Sequence, residues 1–293
     1  MKYIACIFLK EGIEIKQNSP MIDVEYHTLS SGLEFIENYK NQGITDFLVF
    51  GSTNNKSVDF ACENGLIKHF IKKAKDVFGD TVVIHADVGL SPYVEDGHST
   101  VIDNGEINYE KSYELASKLA IAFAEAGADY VAPCLSLHEQ VKVLREALDT
   151  SGFKDTKVHA YSSKFSSTLY GPYRQTIQSP LKGQDKKSYQ TDFSHPEEAL
   201  KQITSDEKQG AEIVMVKPAM IYLDIVYQAR KLTKLPLSVY HVSGEYSMIK
   251  ETSRLGLVEE SSVFDEVHEG FKRNGVDYII GYAPDHFLRW NKE

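Results

Sequence analysis

The chain has 293 residues, 42% of them hydrophobic and 11% aromatic, enough apolar mass for a large core in one or two domains. A net charge of −10, with no dense Lys/Arg cluster, excludes a surface built to grip phosphate backbones, so nucleic acid is not an expected partner. No apolar run is long enough to cross a membrane, and three widely separated cysteines, Cys6, Cys62 and Cys134, suggest neither a disulfide framework nor a paired-cysteine zinc site, which fits a reducing cytoplasm.

The opening MKYIACIFLKEG places a charge after a short apolar stretch with no small-residue cleavage site behind it, and reads as a first strand rather than an export signal. A phrase then recurs along the chain: a small or polar residue and Gly end a helical stretch, and an acid or hydroxyl residue leads into an aliphatic run. It stands at Gln42-Gly43-Ile44-Thr45 before DFLVF, Ala126-Gly127-Ala128-Asp129 before YVAP, Gln209-Gly210-Ala211-Glu212 before IVMVKP, and Asn274-Gly275-Val276-Asp277 before YIIGY. Each is a helix stop followed by a buried strand. The runs YIACIFL, VVIHADV, KVHAY and PLSVYHV fill the gaps, alternating with helical periodicity such as SYELASKLAIAFAEA and LHEQVKVLREAL.

About eight βα units in this length predict an α/β fold, a closed (β/α)8 TIM barrel in a single domain over residues 1–293. A doubly wound open sheet is the rival, but no Gly-rich phosphate turn follows the first strand. Two segments break the rhythm. Residues 89–109, with turn signals at Asp96-Gly97 and Asn104-Gly105, read as an active-site loop or small hairpin, and residues 164–194, rich in Ser, Gln, Gly and Lys, as a mobile lid.

In a barrel the active groups stand at strand C-terminal ends and in the loops beyond. Lys164 follows KVHAYSS and Lys217 follows EIVMV, so both fall on that rim after successive strands. A lone rim lysine commonly snorkels to water or pairs with an acid. Two at adjacent strand ends point instead to amine chemistry. Burial and a second ammonium each lower an amine's pKa, and a neutral amine attacks a carbonyl to form a Schiff base. Tyr170 and Tyr173, flanking Gly171-Pro172 in the lid, are candidates to line the pocket. Cys134, at a strand end, reads as a small buried side chain rather than a reactive thiol.

The stretch Tyr161-Ser-Ser-Lys164-Phe-Ser-Ser-Thr-Leu-Tyr170-Gly-Pro-Tyr173-Arg174 resembles the porphobilinogen synthase (delta-aminolevulinic acid dehydratase) signature around one Schiff-base lysine. Met215-Val-Lys217-Pro218 with Tyr222-Leu-Asp-Ile-Val resembles the signature around the other, and Tyr240-His-Val-Ser243-Gly-Glu245-Tyr and Asp87-Val with Pro92-Tyr93 and Gly97-His98 extend the match nearly end to end. The resemblance implies a dehydratase that joins two 5-aminolevulinate molecules into a pyrrole, Lys217 holding the one that becomes the propionate side and Lys164 the one that becomes the acetate side. It further implies carboxylate binding by Ser243 and by Arg174 with Gln190, proton transfer or amine binding at Asp87, and pocket positions at Tyr240, Tyr282 and Cys134.

Departures from that pattern set further expectations. The family's zinc-ligand cysteines correspond to Gly89, Ser91 and Ser99, which are not thiolate replacements, so neither catalytic zinc nor any other cofactor is expected. His85, Asp87 and His98 remain as possible metal ligands, but core or hydrogen-bonding histidines are the favoured account. A second carboxylate-binding Arg is represented by Lys186 or Lys187, which keeps charge without the bidentate fork. The Tyr partnering Ser243 is represented by Gly281, beside Tyr282; the Ser of an Ala-Pro-Ser motif is Cys134; the Gly after Lys217-Pro218 is Ala219; and a magnesium-binding regulatory Glu falls near Gln202. The chain starts at its first strand without the family's N-terminal arm, so a homodimer or other assembly smaller than an octamer is expected. Three functions follow: aminolevulinate condensation without zinc, the same chemistry on a different aminoketone in a specialised pyrrole pathway, and a non-catalytic aminoketone-binding protein.

Overall fold

The aliphatic runs are all strands in the computed structural model, which describes residues 1–181 and 186–292. They are β1 (Lys2–Lys10), β2 (Asp46–Ser52), β3 (Val83–Val88), β4 (Tyr130–Pro133), β5 (Lys157–Lys164), β6 (Ile213–Lys217), β7 (Leu237–Tyr240) and β8 (Tyr278–Gly281). Each pairs in parallel with the next in chain order, and β8 pairs with β1, so the sheet closes on itself as the expected TIM barrel. A main helix follows each strand, α1 (Leu29–Asn41), α2 (Leu66–Phe78), α3 (Tyr109–Glu125), α4 (Gln140–Thr150), α5 (Pro196–Lys208), α6 (Leu223–Leu232), α7 (Glu260–Arg273) and α8 (Pro284–Trp290), and further helices stand in the connections, among them Val58–Asn64 before α2 and Ser243–Arg254 before α7. Among the described residues, no helix is long and apolar enough to cross a membrane.

The helix stops read from sequence have a backbone cause. Gly43, Gly127, Gly210 and Gly275 sit at φ +106°, +97°, +101° and +75°, a region L side chains avoid, and each reverses the chain from a helix into a strand. Period-two alternation then sorts the strands. Ala5, Ile7, Phe47, Val49, Val158, Ala160, Val214 and Val216 pack outward under the helices, while Ile4, Phe8, Leu48, Tyr161, Met215, Tyr240 and Ile280 fill the barrel.

One irregularity breaks that alternation. Val214 lies opposite Ala160 and Val216 opposite Ser163, so β5 spends one more residue than β6 between the same two rungs. After this bulge the parity of β5 is reversed: Tyr161 and Lys164, three apart, both face the barrel interior, and Lys164 pairs directly with Lys217.

The floor of the barrel is polar. His159 Nε2 lies 2.7 Å from Ser238 Oγ, its Nδ1 lies 3.1 Å from His85 Nδ1, and His85 Nε2 lies 3.7 Å from Asp46. Burial, then the neighbouring His85, hold His159 well below its ordinary pKa, so it is a neutral hydrogen-bonding group. The favoured reading of His85 as a core histidine agrees with this placement. His98 stands apart, its Nδ1 3.2 Å from the Tyr189 hydroxyl.

On α5, Asp206 is fully buried and accepts 2.7 Å from Gln202 Nε2, so Gln202, near which a regulatory glutamate was expected, serves as a structural amide. Burial pushes the Asp206 carboxyl from 3.8 up to about 7. The folded protein then binds a proton the unfolded chain releases, so this group's stability contribution is complete below pH 3.8 and lost as pH rises from there to about 7. Asp206→Asn is expected to leave stability near its wild-type value at pH 4 and to raise it by up to roughly 4 kcal/mol at pH 8, as read from urea melts at the two pH values.

The segment 89–109 contains a hairpin, Ile102–Asp103 against Glu106–Ile107, turned by Asn104 and Gly105, both at positive φ as a tight hairpin requires. The segment 164–194 is tied at its base, where Phe165 bridges Thr191, and carries a short helix, Gly171–Thr176; residues 182–185 of this expected lid lie outside the described residues.

Candidate active site

The two lysines read as catalytic are neighbours across one rung of the barrel, Lys164 ending β5 and Lys217 ending β6. Lys164 Nζ donates 2.7 Å to the Cys134 carbonyl at the end of β4. Lys217 Nζ sits in an aromatic cage, 4.0 Å from the Tyr240 ring centroid, 4.8 Å from Tyr161, 5.3 Å from Tyr170 and 5.6 Å from Tyr173. The ring of Tyr161 also lies 5.7 Å from Lys164 Nζ, so one phenol touches both amines. Ring faces attract an ammonium, but they solvate it less well than water. Burial, then the charge of Lys164, lower the Lys217 pKa to about 7.

Asp87, at the end of β3, is the carboxylate of the site. Burial raises its pKa, the Lys217 charge opposes that rise, and its Oδ1 lies 3.5 Å from the Cys134 thiol. The Tyr161 hydroxyl faces Asp87 without a well-directed hydrogen bond to it. Lys186 is a third amine here: it is buried, donates 2.9 Å to Ser99 Oγ, and is lowered to about 7 by burial and then by Lys164.

Asp87, Cys134, Lys164, Arg174, Lys186, Gln190 and Lys217 line one cavity, closed over by Tyr170 and Tyr173 from the lid. Gln190 presents a buried Oε1 with no partner among the described residues. Four basic groups face one acid, a field that favours anionic substrate groups such as carboxylates. The space left is about 40 Å³, room for a few waters.

Three expected pocket residues lie elsewhere. Ser243, fully buried, accepts from the Tyr173 N–H at 3.0 Å and donates to the Leu169 carbonyl at 3.2 Å; it docks the lid on the helix Ser243–Arg254. A Cβ on neighbouring Gly244 would stand 2.5 Å from the Leu169 carbonyl oxygen. Gly244→Ala is therefore expected to lift the lid from that helix, with a loss of about 2 kcal/mol in stability, and to appear as faster proteolytic nicking within residues 164–194. Tyr240 lies under Lys217 with its hydroxyl 2.9 Å from that of Tyr282, and neither lines the lysine cavity. At position 281 the hydroxyl of Tyr3 occupies the space a side chain would need, 2.6 Å from an ideal Cβ.

The positions of the family's zinc ligands do not fit that metal. A Cβ on Gly89 would lie 2.5 Å from the Cys134 sulfur, so a side chain there displaces Cys134. Ser91 and Ser99 offer only hydroxyls, and the Lys186 ammonium already engages Ser99, where it repels a dication. Among the described residues no group of three His, Cys, Asp or Glu side chains converges on one point.

Two residues of the site were not singled out as functional from sequence. Tyr161 falls three before Lys164, a spacing that puts strand residues on opposite faces until the bulge corrects it. Glu245, fully buried, accepts from the backbone N–H groups of Ala219, Met220 and Ile221 through Oε1 and of Val242 through Oε2. It clamps the loop leaving Lys217 to the start of the Ser243–Arg254 helix; the acid at the third position of that helix was its only sequence signal.

Comparison with known proteins accords with this geometry. The family model for delta-aminolevulinic acid dehydratase matches residues 1–290. A delta-aminolevulinic acid dehydratase of Archaeoglobus fulgidus is 38% identical over 286 residues, covering 95% of this chain and 87% of the relative. That of Escherichia coli is 39% identical over 250 residues, covering 84% and 76%. Among solved structures, delta-aminolevulinic acid dehydratase (porphobilinogen synthase) of Toxoplasma gondii in complex with porphobilinogen superposes with a TM-score of 0.94 at 33% identity, over 99% of this chain and 84% of that one.

Proposed function

The chain belongs to the delta-aminolevulinic acid dehydratase family, and we propose that it is a lyase condensing two molecules of 5-aminolevulinate into porphobilinogen and two waters, each ketone held as an imine by one of the paired lysines. The observation that carries this reading is the Lys164–Lys217 rung, two amines side by side in one buried, tyrosine-walled cavity. An unprotonated amine attacks the ketone carbon, and the carbonyl oxygen leaves as water; a pKa of about 7 keeps a large share of Lys217 unprotonated at neutral pH. The imine acidifies the adjacent carbon, and Asp87, on the wall of the same cavity within the field of both amines and with its own pKa raised, suits removal and return of that proton. Carbon–carbon and carbon–nitrogen bond formation between the two molecules then releases both lysines. Lys217 holds the propionate-side molecule and Lys164 the acetate-side molecule, with Arg174, Lys186 and Gln190 supplying carboxylate donors.

The donor set at 89, 91 and 99 supports condensation without a metal there. Incubation with 5-aminolevulinate and a colour test for the pyrrole checks both parts of the proposal: colour is expected with and without chelator, and colour abolished by chelation sinks the metal-free reading. A second reading, the same imine chemistry on a different aminoketone, is favoured by the altered carboxylate pocket, where Tyr3 fills position 281 and an amine stands at 186. Borohydride trapping of other aminoketones at Lys217, with no pyrrole from aminolevulinate, would select it. No trapping with any aminoketone would leave the non-catalytic binding protein.

A further inference from the structure

On the far side of the Tyr240–Tyr282 pair from the lysines lies a second cavity of about 530 Å³, between the short strand Glu25–His27, α1 and the start of α8. The reaction described above does not use it. Its lining carries two aromatic sets: His27, Phe35 and Tyr39, with Phe35 5.1 Å from the His27 ring and 4.7 Å from Tyr39, and Tyr246 with Tyr282, 5.6 Å apart.

Four carboxylates join them. Lys250 lies 2.6 Å from Asp23 and is shared with Glu260 at 2.7 Å, and Lys16 pairs with Glu25 at 3.0 Å, whereas Glu34 and Asp285 have no ion pair among the described residues, Asp285 accepting only a neutral hydrogen bond from the Tyr39 hydroxyl at 3.0 Å. His27 adds an independent sign of an absent ligand. Its side chain is 5% exposed, lines the cavity, and leaves Nδ1 without a hydrogen-bond partner among the described residues.

Carboxylates without a cationic partner beside aromatic rings suit an organic cation, which gains both from charge and from the rings. An anion meets the wrong sign, and a neutral apolar molecule would strip water from Glu34 and Asp285 without return. The cavity also reaches the catalytic amine: Tyr282 lines it, the Tyr282 hydroxyl lies 2.9 Å from that of Tyr240, and the Tyr240 ring lies 4.0 Å from Lys217 Nζ.

We propose that this cavity is a second binding site, for a small organic ammonium, whose occupancy is felt at Lys217 through Tyr282 and Tyr240. A cation held there adds positive potential near Lys217 and favours its neutral form, so the amine becomes reactive at lower pH.

Choline is the probe, because a quaternary ammonium cannot itself form an imine. Calorimetry on the intact chain is expected to show one saturable site, unchanged in Lys217→Met and weakened at least about tenfold in Glu34→Gln/Asp285→Asn, with sodium chloride at equal ionic strength inert. In the wild type, choline is expected to move the midpoint of borohydride trapping at Lys217 to lower pH, and Tyr282→Phe to reduce that move while retaining choline binding. The trapping arm rests on the imine reading; the calorimetric arm does not, so the two failures are distinguishable. Absence of saturable binding overturns the proposal, as does binding lost in Lys217→Met, which would place choline in the lysine cavity. A change in mass by light scattering that tracks Glu34 and Asp285 but not choline would assign the surface to a second copy of the chain, and also overturns it.

Discussion

Lys217→Met is expected to lower kcat by about four orders of magnitude or more, because the cavity's other amines, Lys164 on the Cys134 carbonyl and Lys186 on Ser99, stand at other positions and do not replace a nucleophile that forms a covalent bond to substrate. The effect should separate from Lys164→Met in kind as well as size. With Lys164 removed, Lys217 keeps its aromatic cage and its burial, so borohydride should still trap one molecule of 5-aminolevulinate per chain, although no pyrrole forms.

The pH dependence carries a further sign. Trapping needs the unprotonated amine and is expected to rise as pH passes about 7 in the wild type. The positive charge of Lys164 is the second-largest influence holding the Lys217 pKa down, after burial. Without it the ammonium is easier to keep, so the trapping midpoint in Lys164→Met moves to higher pH. A midpoint that stays in place, or full trapping in Lys217→Met, would show that the two amines do not act as a coupled pair.

Glu245→Gln should be the most damaging substitution that never touches substrate. The native carboxylate accepts four backbone N–H groups from two segments, which an amide cannot do: one oxygen remains an acceptor, and the NH2 group meets donors. Burial pushes the carboxyl up to about 7, and the same N–H groups pull it back toward ionisation. At zero exposure no water repairs the mismatch, and a loss of about 3 kcal/mol is expected, near 6 °C or more in Tm. Because three of the donors belong to the loop just after Lys217, trapping at Lys217 should also slow several-fold in the protein that remains folded. An unchanged Tm would refute the clamp.

The barrel was legible because its signals are local. A glycine forced to positive φ at each helix end, and an apolar run after it, are properties of a few adjacent residues, and the structure returned all four such turns as expected. Lys164 and Lys217 were legible for a related reason: a charge closing a buried strand is costly, and the cost shows in a short window of sequence. Nine of the twelve side chains expected in the site share the lysine cavity. The other three, Ser243, Tyr240 and Tyr282, were placed by likeness of motif, and their surroundings depend on contacts across the fold.

What local pattern determined about this protein is therefore the eight-unit barrel and the pair of strand-end amines. Tertiary structure alone decided the rest, because each deciding contact joins residues far apart in the chain. A one-residue bulge, visible only in the register of β5 against β6, turns Tyr161 and Lys164 to the same face. Lys186, read as one of two alternatives for a lost arginine, is a buried amine in the fold, where it meets Ser99 from another loop. The space beside Gly89 is closed by Cys134 and that at Gly281 by Tyr3, so what those positions can hold is set by neighbours that no spacing along the chain reveals.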